Sequence, residues 1–441
     1  MSLNQLPAEI VAHLGSFCED HALRSLCTTC KRLMEILERL SYRNLYLTET
    51  SKSGNAAFAL AGGPRRKMIN QINYVPGDPR PIKDDAHDAS IKLSGSTSLV
   101  LKSLHIFFPS LETFRLDLRH WDLASYPGST LHFADPPKIE EWEEPSWEAE
   151  PWANLLIHSF EALIKYPDVT TFSALEIFHL PPAYDTYACL FWSKRWGDLM
   201  SKLRTVNFQL AGFEGNGGIN MTYAHQEFLC ELAHGWFNGV PNLERVRVAG
   251  RADACIGGCP RPQAQHQYPE PIKWGSIEIP KLKAFELEWS RIDKGVPVFI
   301  ERHLKSLEKI VLKHCFAGSK KYWWRLLDVV LRANPSELVE LDVRPAMPQK
   351  DALDGADEHL GNITELEARS EKDNMPGVNQ GPIRFVPIAV EGGHGWLEGI
   401  KEDEQDKDAW VSEREVVEKY AKVMALVERN RENVGLSLSS R

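Results

Sequence analysis

The residues best suited to metal or redox chemistry are the cysteines, and two pairs have suggestive spacing. In Cys255-Ile256-Gly257-Gly258-Cys259 the paired glycines would let both thiolates approach one ion, and His225 and His266 lie nearby in sequence. A Cys-x3-Cys with distant histidines is nonetheless an incomplete zinc set. Cys27-x-x-Cys30 has the tighter spacing, but both residues fall on an apolar helical face and no second pair follows at zinc spacing. Core burial accounts for them, and no metal or cofactor is expected. The glycine-rich stretch 212–218 lacks the Lys and Ser/Thr of a phosphate loop and does not fit the dinucleotide fingerprint. No G-x-S-x-G elbow or His-Glu-x-x-His occurs, and nothing selects a carboxylate pair for acid–base work. The expectation is a chain with no catalytic site of its own.

Whatever it binds, it must present on a scaffold, and 441 residues are enough for two or more units. Apolar content of 43% and charged content of 25% are those of a globular protein. No apolar run approaches a membrane span, and the N-terminus lacks a basic region followed by an apolar one, so neither membrane insertion nor secretion is expected. Eight scattered cysteines imply no disulfide framework, which points to a reducing, cytoplasmic or nuclear compartment. A net charge of −10 argues against nucleic acid as a partner.

Residues 3–47 read as three short amphipathic helices. Pro7 suits a first helical position, and Ile10, Leu14 and Phe17 share one face. Asp20 can cap a second helix bearing Leu23, Leu26, Cys27 and Cys30. Thr28 or Thr29 can cap a third bearing Leu33, Ile36, Leu37 and Leu40. So short a segment cannot bury three apolar faces alone, and the surplus asks for a partner. The opening Leu6-Pro7-Ala8-Glu9-Ile10, the spaced leucines, Cys30-Lys31-Arg32 and the closing Tyr42-Arg43-Asn44-Leu45-Tyr46-Leu47 resemble an F-box. The resemblance implies docking on the Skp1 adaptor of a cullin–RING ubiquitin ligase. Leu6, Pro7, Ile10, Leu14, Leu23, Leu26, Cys30 and Leu33 would then fill the adaptor's groove or hold the helices that do. It further implies a non-catalytic substrate-recognition subunit, which acts by holding a protein substrate near a charged conjugating enzyme.

From residue 97 a short element Leu-x-x-Φ-x-Φ recurs, where Φ is apolar: Leu111-Phe114-Leu116, Leu175-Phe178-Leu180, Leu203-Val206-Phe208, Leu243-Val246-Val248, Leu282-Phe285-Leu287, Leu307-Ile310-Leu312 and Leu338-Leu341-Val343. Helix-like segments fall between, at Thr97–Phe108, Trp152–Tyr166, Tyr187–Leu203, Tyr223–Phe237, Val296–Leu307 and Lys320–Arg332. One strand and one helix per unit predicts an α/β fold, an irregular leucine-rich-repeat-like solenoid with parallel strands inside and helices outside. This resembles the degenerate repeats that follow an F-box in filamentous fungi. An α/β domain without a true repeat is the alternative.

The expected organisation is an F-box at 1–47, an irregular linker or diverged first repeat at 48–96, a substrate-binding repeat domain at 97–344, an irregular acidic region at 345–411 and a C-terminal helix at 412–433. Strand alternation points Arg115, Asp117, His179, Asn207, Gln209, Arg247, Glu286, Glu288, Lys313, Asp342 and Arg344 onto the concave face, where a protein substrate would bind. Two other stretches stand out. Arg65-Arg66-Lys67 is a small basic loop, and 140–150 holds six Glu and two Trp, either a partner-binding insertion or a solvated loop. A repeat-built interaction scaffold with no ligase role is the second functional reading.

Overall fold

The computed structural model describes residues 3–77, 93–119, 151–166, 171–181, 193–211, 228–229, 232, 235–237, 239–251, 256, 272–317, 320–345 and 413–436. The chain divides into two compact units, residues 1–254 with 277–282, and residues 255–276 with 283–441. Both are α/β with parallel strands.

The first unit opens with helices α1 (Ala8–Ser16), α2 (Asp20–Thr29) and α3 (Lys31–Ser41). Strand β1 (Asn44–Leu47) follows, then α4 (Ser51–Ala61) and β2 (Gln71–Tyr74). Next come α5 (Gly95–Lys102), α6 (Leu104–Phe107), β3 (Thr113–Asp117), α7 (Pro151–Leu163), β4 (Ala174–Leu180), α8 (Lys194–Met200), β5 (Thr205–Leu210) and β6 (Arg245–Ala249). The six strands pair in chain order, each parallel to the one before.

A repeated backbone device sets this order. Arg43 O accepts the N–H groups of Asn70 and Gln71, Asn70 O those of Glu112 and Thr113, and Glu112 O those of Ser173 and Ala174. Ser173 O then takes Arg204 and Thr205, and Arg204 O takes Glu244 and Arg245, all at 2.7–3.1 Å. Each hydrogen bond is worth about 1 kcal/mol net, but together the rungs dictate register. The residue before each rung is half-buried or buried (Tyr42, Ile69, Leu111, Phe172, Leu203, Leu243), as are the alternate strand residues after it. Parallel sheets covered on both faces read as continuous apolar runs; here the alternation marks one covered face. Helices supply the cover: Tyr74 Oη meets Ser159 Oγ of α7 at 2.9 Å, Phe160 packs edge-on to Trp196 of α8, and Trp236 packs edge-on to Phe208 of β5.

The rungs add to and correct the sequence reading. Within 48–96 lie a helix and a strand, α4 and β2, with Ile69-Ile72-Tyr74 following the same apolar pattern. In β4 the frame is Phe172-Leu175-Ile177, not Leu175-Phe178-Leu180. Phe114 pairs with Leu175 and Leu116 with Ile177, and a bulge separates Ile177 from Leu180. Both frames satisfy the apolar pattern because the bulge returns Leu180 to the buried face.

Side-chain caps start the helices. Thr50, Ser94 and Ser193 accept the N–H groups of Ser53, Thr97 and Trp196. A Cβ on Gly54 would stand 2.5 Å from Thr97 N, so the close approach of α4 and α5 requires glycine.

In the second unit β7 (Ala284–Glu288), β9 (Lys309–Ala317) and β10 (Glu340–Pro345) pair in parallel, and the short β8 (Arg291–Ile292) pairs in parallel with the end of β9. The rung recurs: Lys283 O accepts Glu308 and Lys309, and Glu308 O accepts Val339 and Glu340. Helices α9 (Gly295–His303) and α10 (Lys320–Ala333) lie between these strands in sequence. Trp274, Phe285 and Phe299 form an aromatic cluster with ring centroids 4.8–5.2 Å apart. The C-terminal helix α11 (Glu413–Asn433) packs on α10, burying Val416, Val423, Leu426 and Val427. Asn430 Nδ2 donates to Pro335 O at 2.7 Å and Leu338 O at 2.9 Å, and Lys419 pairs with Asp328. His179, Trp289 and His314 all have left-handed φ (59°, 50° and 52°), and each stands six residues past its rung carbonyl.

The frame in β4 is testable. Phe172→Ala should lose about 3–5 kcal/mol in urea unfolding, the value for a buried ring, and Phe178→Ala only about 1 kcal/mol. Equal losses would restore the other frame.

Candidate functional site

Two surfaces qualify, beginning with the N-terminal helices. Their core is Val11, Leu23, Leu33 and Leu37, with Leu6, Cys18, Leu26, Cys27, Cys30, Ile36 and Leu40 packed partly against it. Gly15 lets α1 lie close on α3, since a Cβ there would stand 2.5 Å from Leu37 Cδ2. With Val11 and Gly15 turned inward, the periodic face of α1 turns outward. Ile10, Leu14 and Phe17 are 46%, 45% and 75% exposed, and Met34 of α3 is 41% exposed. The eight residues singled out above therefore divide by burial. Leu23 and Leu33 are core, Leu6, Leu26 and Cys30 are half-buried, and Pro7, Ile10 and Leu14 are open. Phe17 and Met34 join the open group; Met34 carries no periodic signal, because only the packing of α3 decides which side of it is covered.

Several local expectations change. Glu19, not Asp20, precedes α2, and Cys30, not Thr28 or Thr29, precedes α3. Both threonines instead donate back to carbonyls within α2. Pro7 stands just before the first helical residue, and Leu6 O accepts Arg32 Nη2 at 2.6 Å.

The released Asp20 carboxylate works elsewhere. It accepts Asn44 Nδ2 at 3.1 and 3.3 Å, and it is hydrogen-bonded to the Tyr46 hydroxyl. Burial first, then that bond and the charge of Asp20, raise the Tyr46 phenol, against the opposing charges of Arg24 and Arg115. Arg65 of the basic loop meets Glu38 Oε1 at 2.9 and 3.0 Å and lies 4.5 Å over the Tyr42 ring. It is thus a clamp between α3 and the chain that enters β2. Tyr42 N and Arg43 N close α3 onto Glu38 O and Leu40 O, and the Arg43 carbonyl is already the first rung.

The second surface is the sheet face turned away from the packed helices, half-buried to open among the described residues except at the buried Asn73, Asp117 and Val311. In the first unit the register aligns Tyr46, Asn73, Arg115, Glu176, Asn207 and Arg247 across six strands. Gln209 lies on the same face of β5. Glu176 takes the row position expected of His179, because the frame of β4 differs. Arg115 bonds Glu176 at 2.6 and 2.7 Å and covers Phe178 at 5.0 Å, and Arg247 Nη1 donates to Asn207 at 3.3 Å. Asp117, expected to be open, is buried, with Arg119 and His179 Nδ1 (3.2 Å) against its carboxylate. In the second unit Glu286, Val311 and Asp342 form one row and Glu288, Lys313 and Arg344 the next. Lys309, absent from the sequence-based set, pairs with Glu286 at 2.9 Å and Glu340 at 3.3 Å, and Arg344 pairs with Asp342 at 2.9 Å. Its missing signal is positional: it begins the strand, one residue after the rung.

Among the described residues no group of three or more His, Cys, Asp and Glu could hold a metal, and no helix is long and apolar enough to cross a membrane. Cys255, Cys259, His225, His266, the stretches 140–150 and 212–218, and the acidic region from 346 lie outside the described residues. No protein-family model matches the chain, and no curated protein matches it.

The Asp117 site has a pH signature. Burial opposes its ionisation, but hydrogen bonds from His179 and Arg119 and the Arg119 charge prevail, so the carboxyl titrates well below the usual carboxylate range. A depressed folded pKa adds stability above the unfolded value of about 3.9, and that stability is lost as pH falls toward the folded value. Asp117→Asn should cost about 1–3 kcal/mol at pH 7, with the gap to wild type narrowing below about pH 4 in urea titrations. A gap independent of pH would refute the assignment.

Proposed function

We propose that this chain is the substrate-recognition subunit of a Skp1–cullin–F-box ubiquitin ligase. The observation that carries this reading is the outward apolar face Ile10, Leu14 and Phe17, on a three-helix module that has its own small core. Fully covering such side chains is worth about 1.5–3 kcal/mol each. Those gains must offset the lost freedom of two rigid partners, so several anchors have to act together. Leu23 and Leu33 hold the helices in place, while Pro7, Ile10 and Leu14 fill the adaptor's groove, with Leu6, Leu26 and Cys30 at its margin. The repeated rung and the one-sided burial fit a leucine-rich-repeat-like solenoid, its strands lining the inside and its helices the outside. Its open face, with Arg115, Asn207, Gln209 and Arg247 in one unit and Glu286, Glu288, Lys313, Asp342 and Arg344 in the other, receives a protein substrate. The subunit contributes proximity, not a catalytic group, and works in the cytoplasm or nucleus.

Co-purification with Skp1 tests the reading. Wild type should form an equimolar complex. Ile10→Ala/Leu14→Ala should retain the wild-type thermal midpoint to within a few degrees and bind at least about 100-fold more weakly, as loss of two central anchors predicts. A folded wild-type chain that ignores Skp1 would remove the ligase assignment.

A further inference from the structure

The strand-entrance edge of the first unit carries a polar cleft of about 290 Å³, lined by Lys202, Arg204, Asn242, Glu244 and Lys281. From it we infer a binding site for a tetrahedral dianion, a phosphate monoester or inorganic phosphate. The inference is independent of what the N-terminal helices bind.

Three observations support it. The lining holds three cations and one carboxylate, a local charge of +2 in a chain of net charge −10. Among the described residues no aromatic or aliphatic side chain lines the cleft, so a ligand there is recognised by charge and hydrogen bonds. Lys281 is held by its side chain and Arg204 by its backbone. Arg204 and Glu244 flank a rung, with Arg204 O accepting Glu244 N at 2.8 Å, which spaces the two side chains by one strand separation. Lys281 Nζ donates to Asn242 Oδ1 at 2.7 Å, and Asn242 Nδ2 donates to Ser201 O at 2.9 Å. The ammonium is therefore fixed with donors to spare. The Arg204 guanidinium makes no ion pair among the described residues and offers the planar fork that suits two oxygens of one phosphate. The N–H groups of Arg204 and Glu244 are committed to rungs, so at these two residues the side chains do the binding. Glu244 sets the selectivity. It lowers the cluster's charge to match a dianion, and its carboxylate can accept a hydrogen bond from the P–OH of inorganic HPO4²⁻.

The test is isothermal titration of the full-length chain with inorganic phosphate, with a phosphoserine peptide and with the same peptide unphosphorylated, in chloride at constant ionic strength. Saturable phosphate binding is expected at pH 7.5, weakening at pH 5.5 as the dianion is protonated. Arg204→Gln and Lys281→Gln should each lower the affinity about 10-fold while leaving the ligand-free thermal midpoint unchanged. Glu244→Gln should raise it and steepen its loss between pH 7.5 and 5.5. Binding that is equal in all three variants, that falls in Glu244→Gln, or that chloride alone reproduces would overturn the proposal. If the phosphopeptide binds at least about 10-fold more tightly than inorganic phosphate, the ligand is a modified partner protein. Equal affinities assign the site to a small anion.

Discussion

One carbonyl accepting two backbone N–H groups at the start of the next strand is the interaction on which the remaining order depends. It occurs where a strand begins, so it decides which residue of the incoming segment is first in the ladder. Period-two alternation then sends every later side chain to a covered or an open face. An error of one residue at the rung would exchange the apolar and polar faces of a strand. The apolar residue just before the rung, from Tyr42 and Ile69 to Leu307 and Leu338, guards against that slip by occupying the space beneath it. Between rungs the chain is unconstrained in length. This is why β3 and β4 can be neighbours although more than fifty residues separate them.

The sheet face turned away from the helices shows a second economy. Several of its charged side chains are paired: Arg115 with Glu176 and Lys309 with Glu286 and Glu340 across neighbouring strands, and Arg344 with Asp342 along β10 itself. Exposed pairs of this kind add little stability, about 0–1 kcal/mol each. Their effect is to keep the face hydrated and to make any partner displace existing contacts, which favours specificity over tight non-selective adhesion. The apolar residues of α1 have no such substitute partner within the described chain, and the contrast between the two surfaces follows from that difference.

Much of this was legible in the sequence, for identifiable reasons. Alternation in Leu203-Val206-Phe208 and its companions is a direct consequence of one-sided burial, so the strands could be read. The outward face of α1 was readable as a stripe, though not which side of α1 was covered; Gly15 decides that through a contact with Leu37 that no local pattern encodes. Strands β1 and β2 escaped the pattern because Tyr42 and Ile69 stand where later strands have leucine, and the β4 frame because a bulge makes two frames equally apolar. Asp117 was misassigned because its burial comes from Arg119, beyond the strand end, and from His179 on the neighbouring strand. The capping threonines failed for a related reason: a Thr hydroxyl can satisfy a carbonyl of its own helix as readily as start the next one.

Helix α3 ends, and the first rung begins, within two residues. Arg43 belongs to both, its N–H closing the helix and its carbonyl opening the sheet. Asp20 with Asn44, and Arg65 with Glu38 and Tyr42, brace the same joint from two other directions. The molecule thus has a welded corner where many modular proteins have a tether. A tethered pair explores a volume, and the encounter rate of its two ligands falls with that volume. A welded pair offers one distance and one angle. Whatever grips the outer face of α1 therefore also aims the open face of the adjoining strands, and a ligand there is presented at a fixed bearing rather than on a leash.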